Sequence, residues 1–566
     1  MTQSGGGAET ESLGNLLRGL FQFLVLSAFV CAGFGASASW GLLAHAALID
    51  SVPTFSGPKL VVKAIAFTVI LVTSLWWLLR FNTVPSIIIQ EPKPKPVEKA
   101  NPAALRWLAI ILLFVGTVSG IRLTQYPHLE PDEAHHLIVA RNLAVHGVYG
   151  SGMPATGFRW FDDYDSVGPT VIVPVSLAMW YKGTRIDAGR IVMTGFYVLL
   201  TALVYKLLAS TLGAGAGLCG ALLLLAAPGS IYLARTVYGE APALAFLIAG
   251  LLAWQRALGS PRAITWGVAS GMLLGCALVT KYFLVIAVWP ALGVLIFDRR
   301  THKKIRPAHV LVPATVALSV LISWLSITSI YGPHGADSTS AYVSEYQHNF
   351  LFGTESLART LGWLTAHAMP GALFLVVGTA GMGLLAVRTH YSPALLFLAL
   401  FAGLNTFWWV FFTTGNHPRY LWYSLALGAA FVGAQFFKGI RMQLNSVSMA
   451  ARLTGGVACA IIAALVLWNS LPRVAATFQR EEMRSEYAML DHVQSTYESG
   501  TVATTQYTVE RLFNLCLEEP VQRVKRPADA PGAKGFIIDA TSDAGEWNSL
   551  EPRAQFGRYK IVELRR

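Results

Sequence analysis

The chain contains little charge and few cysteines. Asp, Glu, Lys and Arg together make up 13% of the 566 residues, whereas 54% are hydrophobic. A soluble domain carries roughly 25% charged residues, so the composition excludes an ordinary soluble enzyme. The five cysteines have no disulfide or zinc-site spacing. The sequence also lacks a Gly-rich phosphate loop and a basic, aromatic nucleic-acid module, so we expect neither nucleotide nor nucleic acid as a partner.

Long apolar runs take the place of the missing charge. Thirteen of them have lengths near the ~20 residues that a membrane span needs. We therefore predict an all-α polytopic membrane protein, followed by a small C-terminal α/β domain. The predicted spans are residues 19–41, 60–79, 105–124, 189–209, 214–233, 241–257, 264–280, 282–297, 308–330, 366–387, 392–412, 419–437 and 452–469.

A shorter apolar stretch, Thr170–Tyr181, contains Pro174 and favours a re-entrant or interfacial segment over a span. If this stretch does not cross the membrane, the Lys/Arg-rich loops all fall on the same side of the membrane. That side is then the cytoplasmic one. The N-terminus is then cytoplasmic, and the acid-bearing loops and the tail are extracytoplasmic. We expect an inner or plasma membrane of the bacterial type.

The predicted domain organisation has four parts. Residues 1–84 form two N-terminal spans, and residues 85–104 form a Pro/Lys-rich cytoplasmic linker. Residues 105–469 form the transmembrane core. Residues 470–566 form an extracytoplasmic soluble domain, in which helices alternate with strands near 501–505, 535–539 and 558–564.

The stretch Tyr126–Gly150 opens with two adjacent carboxylates, Asp132 and Glu133. Pro131 suits the first turn of a helix, because backbone N–H groups in that turn have no hydrogen-bond partner within the helix and proline lacks the N–H. Apolar and polar residues then alternate with helical periodicity, which predicts an amphipathic helix at a membrane interface. Its polar face holds His135, Asn142 and His146. The acid pair also fits a structural role at the helix N-terminus, so both interpretations stay open.

Three bases, Arg235, Lys281 and Arg419, lie on the same predicted side as the acid pair and Glu240. Ionisable groups at membrane depth are costly and tend to mark function. Acids beside bases at one membrane face suit a phosphate-bearing substrate and a hydroxyl group that loses its proton. Singly, the bases also fit side chains that reach toward the interface, and Glu240 fits a helix cap.

The connection Ile330–Thr360, at about 30 residues, is long for a loop between helices, and such loops are often lids. It carries Tyr342, Tyr346 and His348. We predict that it orders over a bound substrate, with a solvated surface loop as an equal alternative. No metal site is predicted, because the paired histidines in the acid stretch favour interfacial polar residues over ligands.

Several stretches together resemble the GT-C fold glycosyltransferases that use polyprenyl-phosphate sugars, the group of the protein O-mannosyltransferases and the lipid A aminoarabinose transferase. The resemblance covers about residues 105–437 and departs from the usual pattern at Gly168, where many relatives have proline, and at Glu240, where many have Asp. The matching stretches are PDEAHHLIVARNLAVHG, GPTVIVPVSLAMW, GRIVMTGFYVLLTALVY, PGSIYLARTVYGEAPALAF, TKYF and HPRYLWYSLALG.

This resemblance implies an inverting transfer of a sugar from a polyprenyl-phosphate donor to a lipid, glycan or protein acceptor. Asp132 would be the base, and Glu133 and Glu240 would orient the acceptor and the acidic helix. The lipid phosphate would be held by Arg235, Lys281, Arg419 and Tyr420. The implied reaction requires no cofactor, and a divalent cation at the acidic site is left open. Membrane lipids are further expected partners.

Other functions also fit an outward-facing set of acids and bases. A transporter or flippase for a lipid-linked sugar would add midplane charges and pseudo-symmetric halves, and the sequence shows neither. A glycan polymerase or ligase differs only in its acceptor. A non-catalytic carrier-binding subunit would not need Asp132 and Glu240 intact.

Overall fold

The computed structural model describes most of the helical core and parts of both ends of the chain. The described residues are 20–37, 65–66, 68–76, 102–154, 157–161, 167–301, 305–332, 374–388, 392–412, 418–444, 471–472, 474–480, 483–497, 502–516, 521–524, 529–530, 533–539 and 552–563.

Helices dominate the described part up to residue 444. The first helix is α1 (Leu20–Ser37), and residues 68–76 form the helix α2. The later helices are α3 (Pro102–Gly120), α4 (Pro131–His146), α5 (Pro169–Lys182), α6 (Ile186–Leu212), α7 (Ala214–Ala226), α8 (Ser230–Leu233), α9 (Glu240–Leu258), α10 (Ala263–Thr280), α11 (Val288–Thr301), α12 (Pro307–Tyr331), α13 (Thr379–Arg388), α14 (Pro393–Phe412) and α15 (Trp422–Leu444). A two-stranded hairpin, β1 (Gly150–Met153) and β2 (Gly157–Trp160), follows α4.

Nine helices in the described part are long and apolar enough to cross a membrane. The chain is therefore an integral membrane protein. Each of these helices lies within a few residues of a predicted span. They cover Leu20–Ser37, Pro102–Gly120, Ile186–Leu212, Glu240–Leu258, Ala263–Thr280, Tyr282–Arg299, Pro307–Tyr331, Pro393–Val410 and Arg419–Lys438.

The predicted span 214–233 is shorter in the structure. Helix α7 has 13 residues, fewer than the ~20 of a full span. It ends before Pro228, because Ala227 takes the extended conformation that a residue preceding proline favours. The predicted spans 60–79 and 366–387 are only partly described, and 452–469 lies outside the described residues.

The core of the bundle is apolar and closely packed. Helix α1 takes part in it through Phe23, Leu26 and Val30. Gly33 lies so close to Trp289 of α11 that an added Cβ would come within 2.2 Å of its ring. The first helix is thus packed into the bundle rather than standing beside it.

The tail forms a mixed five-stranded sheet with strand order β4-β3-β5-β7-β6. Strands β3 and β4 pair in parallel, and β7 pairs antiparallel with both β5 and β6. The predicted strands coincide with β3, β5 and β7, whereas β4 and β6 were not predicted. The elements are α16 (Arg484–Thr496), β3 (Val502–Thr504), α17 (Tyr507–Cys516), β4 (Gln522–Arg523), β5 (Gly535–Asp539), β6 (Pro552–Phe556) and β7 (Tyr559–Glu563).

One face of this sheet shares a hydrophobic core with α4. Val502, Ile537 and Ile561 belong to the same buried cluster as Leu137 and Ile138 of α4. Alternate residues of a strand point to opposite faces, and Phe536 accordingly belongs to a separate cluster on the other side. The tail is therefore packed directly on the helix that carries the acid pair.

This packing corrects the predicted amphipathic character of α4. His135 and Asn142, expected on an exposed polar face, are buried. Asn142 donates to the carbonyls of Gly150 and Gly152, and Arg141 donates to the carbonyl of Asn514 at 2.6 Å. The interpretation was wrong because the sequence pattern gave no sign that β1 and α17 would pack on this helix and supply partners for its polar side chains.

Candidate active site

Asp132 and Arg419 form an ion pair at one end of the bundle. Arg419 lies in the 3₁₀ turn Pro418–Leu421, which precedes α15. Its Nη2 lies 2.6 Å from Oδ2 of Asp132, whose side chain is 50% exposed. Burial alone would raise the pKa of Asp132, but the charge and hydrogen bond of Arg419 hold that pKa below its usual value. Asp132 is therefore ionised at neutral pH.

Glu133, the next residue, lies in a closed environment. Arg190 of α6 donates to both of its carboxylate oxygens, at 2.8 and 2.7 Å. Both side chains are fully buried. The backbone N–H of Val237 donates to Glu133 Oε1 at 3.2 Å, so this carboxylate joins α4, α6 and the turn before α9. Its contacts fit the predicted role in orienting the helix that carries the acid pair, and all of them are to the protein itself.

Arg235 is buried and surrounded by carbonyl oxygens. Its guanidinium donates to the main-chain carbonyls of Val118, Ile121, Arg122 and Tyr126. These contacts occupy Nε and both Nη atoms. The structure therefore corrects the predicted phosphate contact, because Arg235 already serves to hold the segment that leads from α3 to α4.

Glu240 and Lys281 form a second acid–base pair, close enough to Asp132 and Arg419 to interact with them electrostatically. Lys281 Nζ lies 3.3 Å from Glu240 Oε1, and both side chains are largely buried. Within the part of the chain that the structure describes, neither carboxylate oxygen of Glu240 has a hydrogen-bond donor in good geometry. Gly239 precedes Glu240 with φ of +84°, a left-handed conformation that favours glycine and turns the chain sharply into α9.

Gly168 brings α5 against the end of α10, next to Lys281. An added Cβ at this position would lie 1.8 Å from the carbonyl oxygen of Val279, so any side chain is excluded. The hydroxyl groups of Thr170 and Thr280 lie 2.6 Å apart at the same junction. This close approach accounts for glycine at the position where the resembled family often has proline.

His136 faces the turn before α9. Its Nδ1 lies 2.6 Å from the carbonyl oxygen of Val237, and since a carbonyl only accepts, Nδ1 carries the proton. Burial, with smaller contributions from Lys281 and His135, lowers the pKa of His136 to about 3. The imidazole is neutral at ordinary pH and adds no positive charge beside Asp132.

The acids do not form a cluster suited to a metal ion. Each of the three carboxylates faces its own base: Asp132 faces Arg419, Glu133 faces Arg190 and Glu240 faces Lys281. Among the described residues, no group of three or more His, Cys, Asp or Glu side chains could hold a metal ion.

The structure thus brings Asp132, Glu240, Lys281 and Arg419 to one end of the bundle, together with Tyr420. The Tyr420 hydroxyl lies 3.3 Å from Arg419 Nη2. Tyr342, Tyr346 and His348 lie outside the described residues. Sequence reasoning missed Arg190, although an arginine in the first turns of a long apolar helix is a signal of an intramembrane charge that needs a partner.

Comparison with known proteins gives two results. Residues 172–327 match the family described as dolichyl-phosphate-mannose-protein mannosyltransferase. The matched segment includes Arg190, Arg235, Glu240 and Lys281, and it indicates a glycosyltransferase. No curated protein matches the chain.

Among solved structures, ArnT from Cupriavidus metallidurans bound to undecaprenyl phosphate superposes with a TM-score of 0.57 at 14% identity, covering 82% of this chain and 98% of ArnT. The apo state of the same ArnT gives a TM-score of 0.55 at 14% identity, covering 81% and 98%. The chain has the GT-C fold. The similarity to ArnT covers far more of the chain than the 172–327 segment.

Proposed function

We propose that the chain is an inverting glycosyltransferase that moves a sugar from a polyprenyl-phosphate donor to an acceptor on the extracytoplasmic side. The observation that carries this proposal is the contact between Asp132 and Arg419 at one end of the GT-C bundle, where Arg419 Nη2 lies 2.6 Å from a half-exposed carboxylate. Their contact joins residues 287 positions apart in the chain. A base for a hydroxyl group and a cation for a phosphate are the two groups that the reaction needs.

The reaction assigns one role to each side of this pair. The acceptor hydroxyl attacks the anomeric carbon from the face opposite the phosphate, while Asp132 accepts its proton. The bond from the anomeric carbon to the phosphate oxygen breaks, and its electron pair stays on the polyprenyl phosphate. Arg419, with Tyr420 beside it and Lys281 nearby, stabilises the developing negative charge.

The contact between Asp132 and Arg419 raises a difficulty, because a carboxylate held by an arginine is a weak base. We propose that the donor phosphate displaces Asp132 from the guanidinium. The Nε of Arg419 is buried without a hydrogen-bond acceptor among the described residues, so it is available to the incoming phosphate. Donor binding then frees Asp132 to accept the proton, which couples the base to the presence of the donor.

The remaining charged residues support this arrangement. Glu133, paired with Arg190, fixes the start of α4, and Glu240 fixes Lys281 beside the Asp132–Arg419 pair. No step of this scheme uses a metal ion. The sequence left open whether a divalent cation is required. Treating the purified protein with a chelator tests this, and unchanged sugar transfer would exclude a required cation.

Topology and domain roles follow from the loop charges. We propose a cytoplasmic N-terminus and an outward-facing site, with residues 1–84 and the linker 85–104 preceding the catalytic core 105–469 and an outer domain 470–566. In a cysteine-free background, a cysteine at the exposed position Gln555 should react with an impermeant thiol reagent on intact cells, and one at Thr301 should not. Labelling at Thr301 alone would reverse the topology.

The loop Ile330–Thr360 stays a proposed lid over the donor sugar. Protection of this loop from protease by a polyprenyl-phosphate sugar would support the lid.

The proposed acceptor is a lipid, a glycan or a protein.

A transfer assay in liposomes tests the proposed reaction. The purified protein receives a polyprenyl phosphate carrying one labelled sugar, together with an envelope fraction as the source of acceptor. We expect label in the acceptor with equimolar release of polyprenyl phosphate. Movement of the label across the bilayer without release would instead identify a flippase, and transfer only of longer carrier-linked chains would identify a polymerase or ligase.

A further inference from the structure

Two aromatic rings enclose the guanidinium of Arg419. Its Cζ lies 4.6 Å from the centre of the Tyr238 ring and 5.1 Å from that of Tyr420. Tyr420 is the next residue in the chain, but Tyr238 comes from the turn before α9. Arg419 is therefore held by a contact between distant segments.

Tyr238 is itself firmly placed. Its side chain is buried, and its ring packs edge-on against His136, with centroids 6.4 Å apart. The ring also packs against that of Tyr232 at 6.1 Å. The next residue, Gly239, has a left-handed backbone conformation and is the N-cap of α9. A rigid ring in this position presents a fixed face to Arg419.

An arginine side chain has several rotatable bonds, and without packing it would occupy many orientations. The ring face attracts a cation and is planar like the guanidinium. We propose that Tyr238 is a positioning residue, whose ring holds the Arg419 guanidinium in line with Asp132 and with the donor phosphate. This inference rests on the proposed function, and it adds a residue to which neither the sequence nor the family resemblance gave a role.

The ring of Tyr238, rather than its hydroxyl group, makes this contact. The Tyr238 hydroxyl accepts from the hydroxyl of Tyr232 at 3.5 Å, whereas the Arg419 guanidinium lies over the ring. Tyr238→Phe should therefore keep the effect, whereas Tyr238→Leu should lose it. Phe246→Leu is a matched control, because it removes a ring of α9 whose aromatic contact is with Phe196 of α6, at 5.8 Å between centroids.

The experiment measures transfer and lipid binding in the full-length protein. Tyr238→Phe, Tyr238→Leu and Phe246→Leu are prepared in the parent and in an Arg419→Gln background. For each, kcat/KM for the donor and the Kd for a polyprenyl phosphate in detergent micelles are determined. Circular dichroism and elution volume check that each variant is folded.

We expect Tyr238→Leu to lower kcat/KM and weaken lipid-phosphate binding about tenfold, as loss of a desolvated cation–ring contact predicts. Tyr238→Phe and Phe246→Leu should stay within about twofold of the parent. In the Arg419→Gln background, Tyr238→Leu should cause no further loss, because its effect passes through Arg419.

Two results would overturn the positioning role. The first is an equal loss in Tyr238→Phe and Tyr238→Leu, and the second is the same fold-loss in both backgrounds, which a merely structural role predicts. If the parent transfers no sugar but binds the lipid phosphate, the proposed function fails. The binding series then still decides the role of Tyr238.

Discussion

Asp132 and Glu133 are neighbours in the chain, yet their carboxylates lie in opposite environments. Successive residues of a helix point about 100° apart, so the two side chains leave α4 in different directions. Glu133 is fully buried against Arg190, whereas Asp132 is 50% exposed beside Arg419. The same residue types therefore form one closed pair and one open pair.

The difference shows how burial separates structure from chemistry. Removing one member of a buried ion pair leaves an uncompensated charge and costs about 3–5 kcal/mol. An exposed pair contributes little, roughly 0–1 kcal/mol, so an incoming anion can exchange with the carboxylate. We infer that Glu133 holds the helix while Asp132 is free to react.

The largest effect on stability is expected from breaking the closed pair. Arg190→Met should destabilise the protein by about 3–5 kcal/mol, because Glu133 is then buried without its partner. Denaturant unfolding in detergent micelles measures this loss. The double variant Glu133→Met with Arg190→Met should recover much of the stability, and a fully stable Arg190→Met single variant would show that the pair is not structural.

In the open pair, removing Arg419 should affect catalysis rather than folding. Arg419→Ala should raise the barrier to transfer by about 2–4 kcal/mol, because one oriented donor to the leaving phosphate is lost. Arg419→Lys should rescue only in part, since lysine lacks the planar fork. Turnover per folded molecule is the measurement, and parental turnover in Arg419→Ala would remove Arg419 from the mechanism.

The Glu240–Lys281 pair should fall between the two extremes. It is buried, but it has one contact at 3.3 Å where Glu133–Arg190 has two. A double-mutant cycle with Glu240→Gln and Lys281→Met should give a coupling energy of about 0.5–3 kcal/mol, below that of the Glu133–Arg190 pair. A coupling of zero would mean that Lys281 is not held by Glu240.

The smallest effect is expected at an exposed pair in the tail. Arg553 and Glu563 lie 3.9 Å apart with side chains 65% and 39% exposed. Arg553→Ala should change stability by less than about 1 kcal/mol and leave transfer unchanged. A larger loss of stability in the same unfolding assay would mean that exposure is a poor guide to the energy of these pairs.

Features that depend on local composition were predictable from the sequence. The nine described spans lie near predicted ones, because length and hydrophobicity are properties of each segment. The gathering of Asp132, Glu240, Lys281 and Arg419 at one end also agrees with the prediction, since loop charge fixed which helix ends share a side.

Features that depend on partners from elsewhere in the chain were not predictable. Arg190 lies 57 residues from Glu133, and no local pattern pairs them. Arg235 was expected at the phosphate, but the carbonyl groups that occupy it belong to residues more than 100 positions away. Likewise, α4 was predicted to be an amphipathic interfacial helix, but most of its residues are buried, because α5, β1 and α17 pack around it.

The central claim is that the two neighbouring acids have different tasks, and a paired measurement tests it. Asp132→Asn and Glu133→Gln are compared for sugar transfer from polyprenyl phosphate and for the free energy of unfolding. We predict that Asp132→Asn loses about a hundred- to ten-thousand-fold in transfer with unchanged stability, whereas Glu133→Gln loses stability but retains more transfer per folded molecule. Parental transfer by Asp132→Asn would contradict the account.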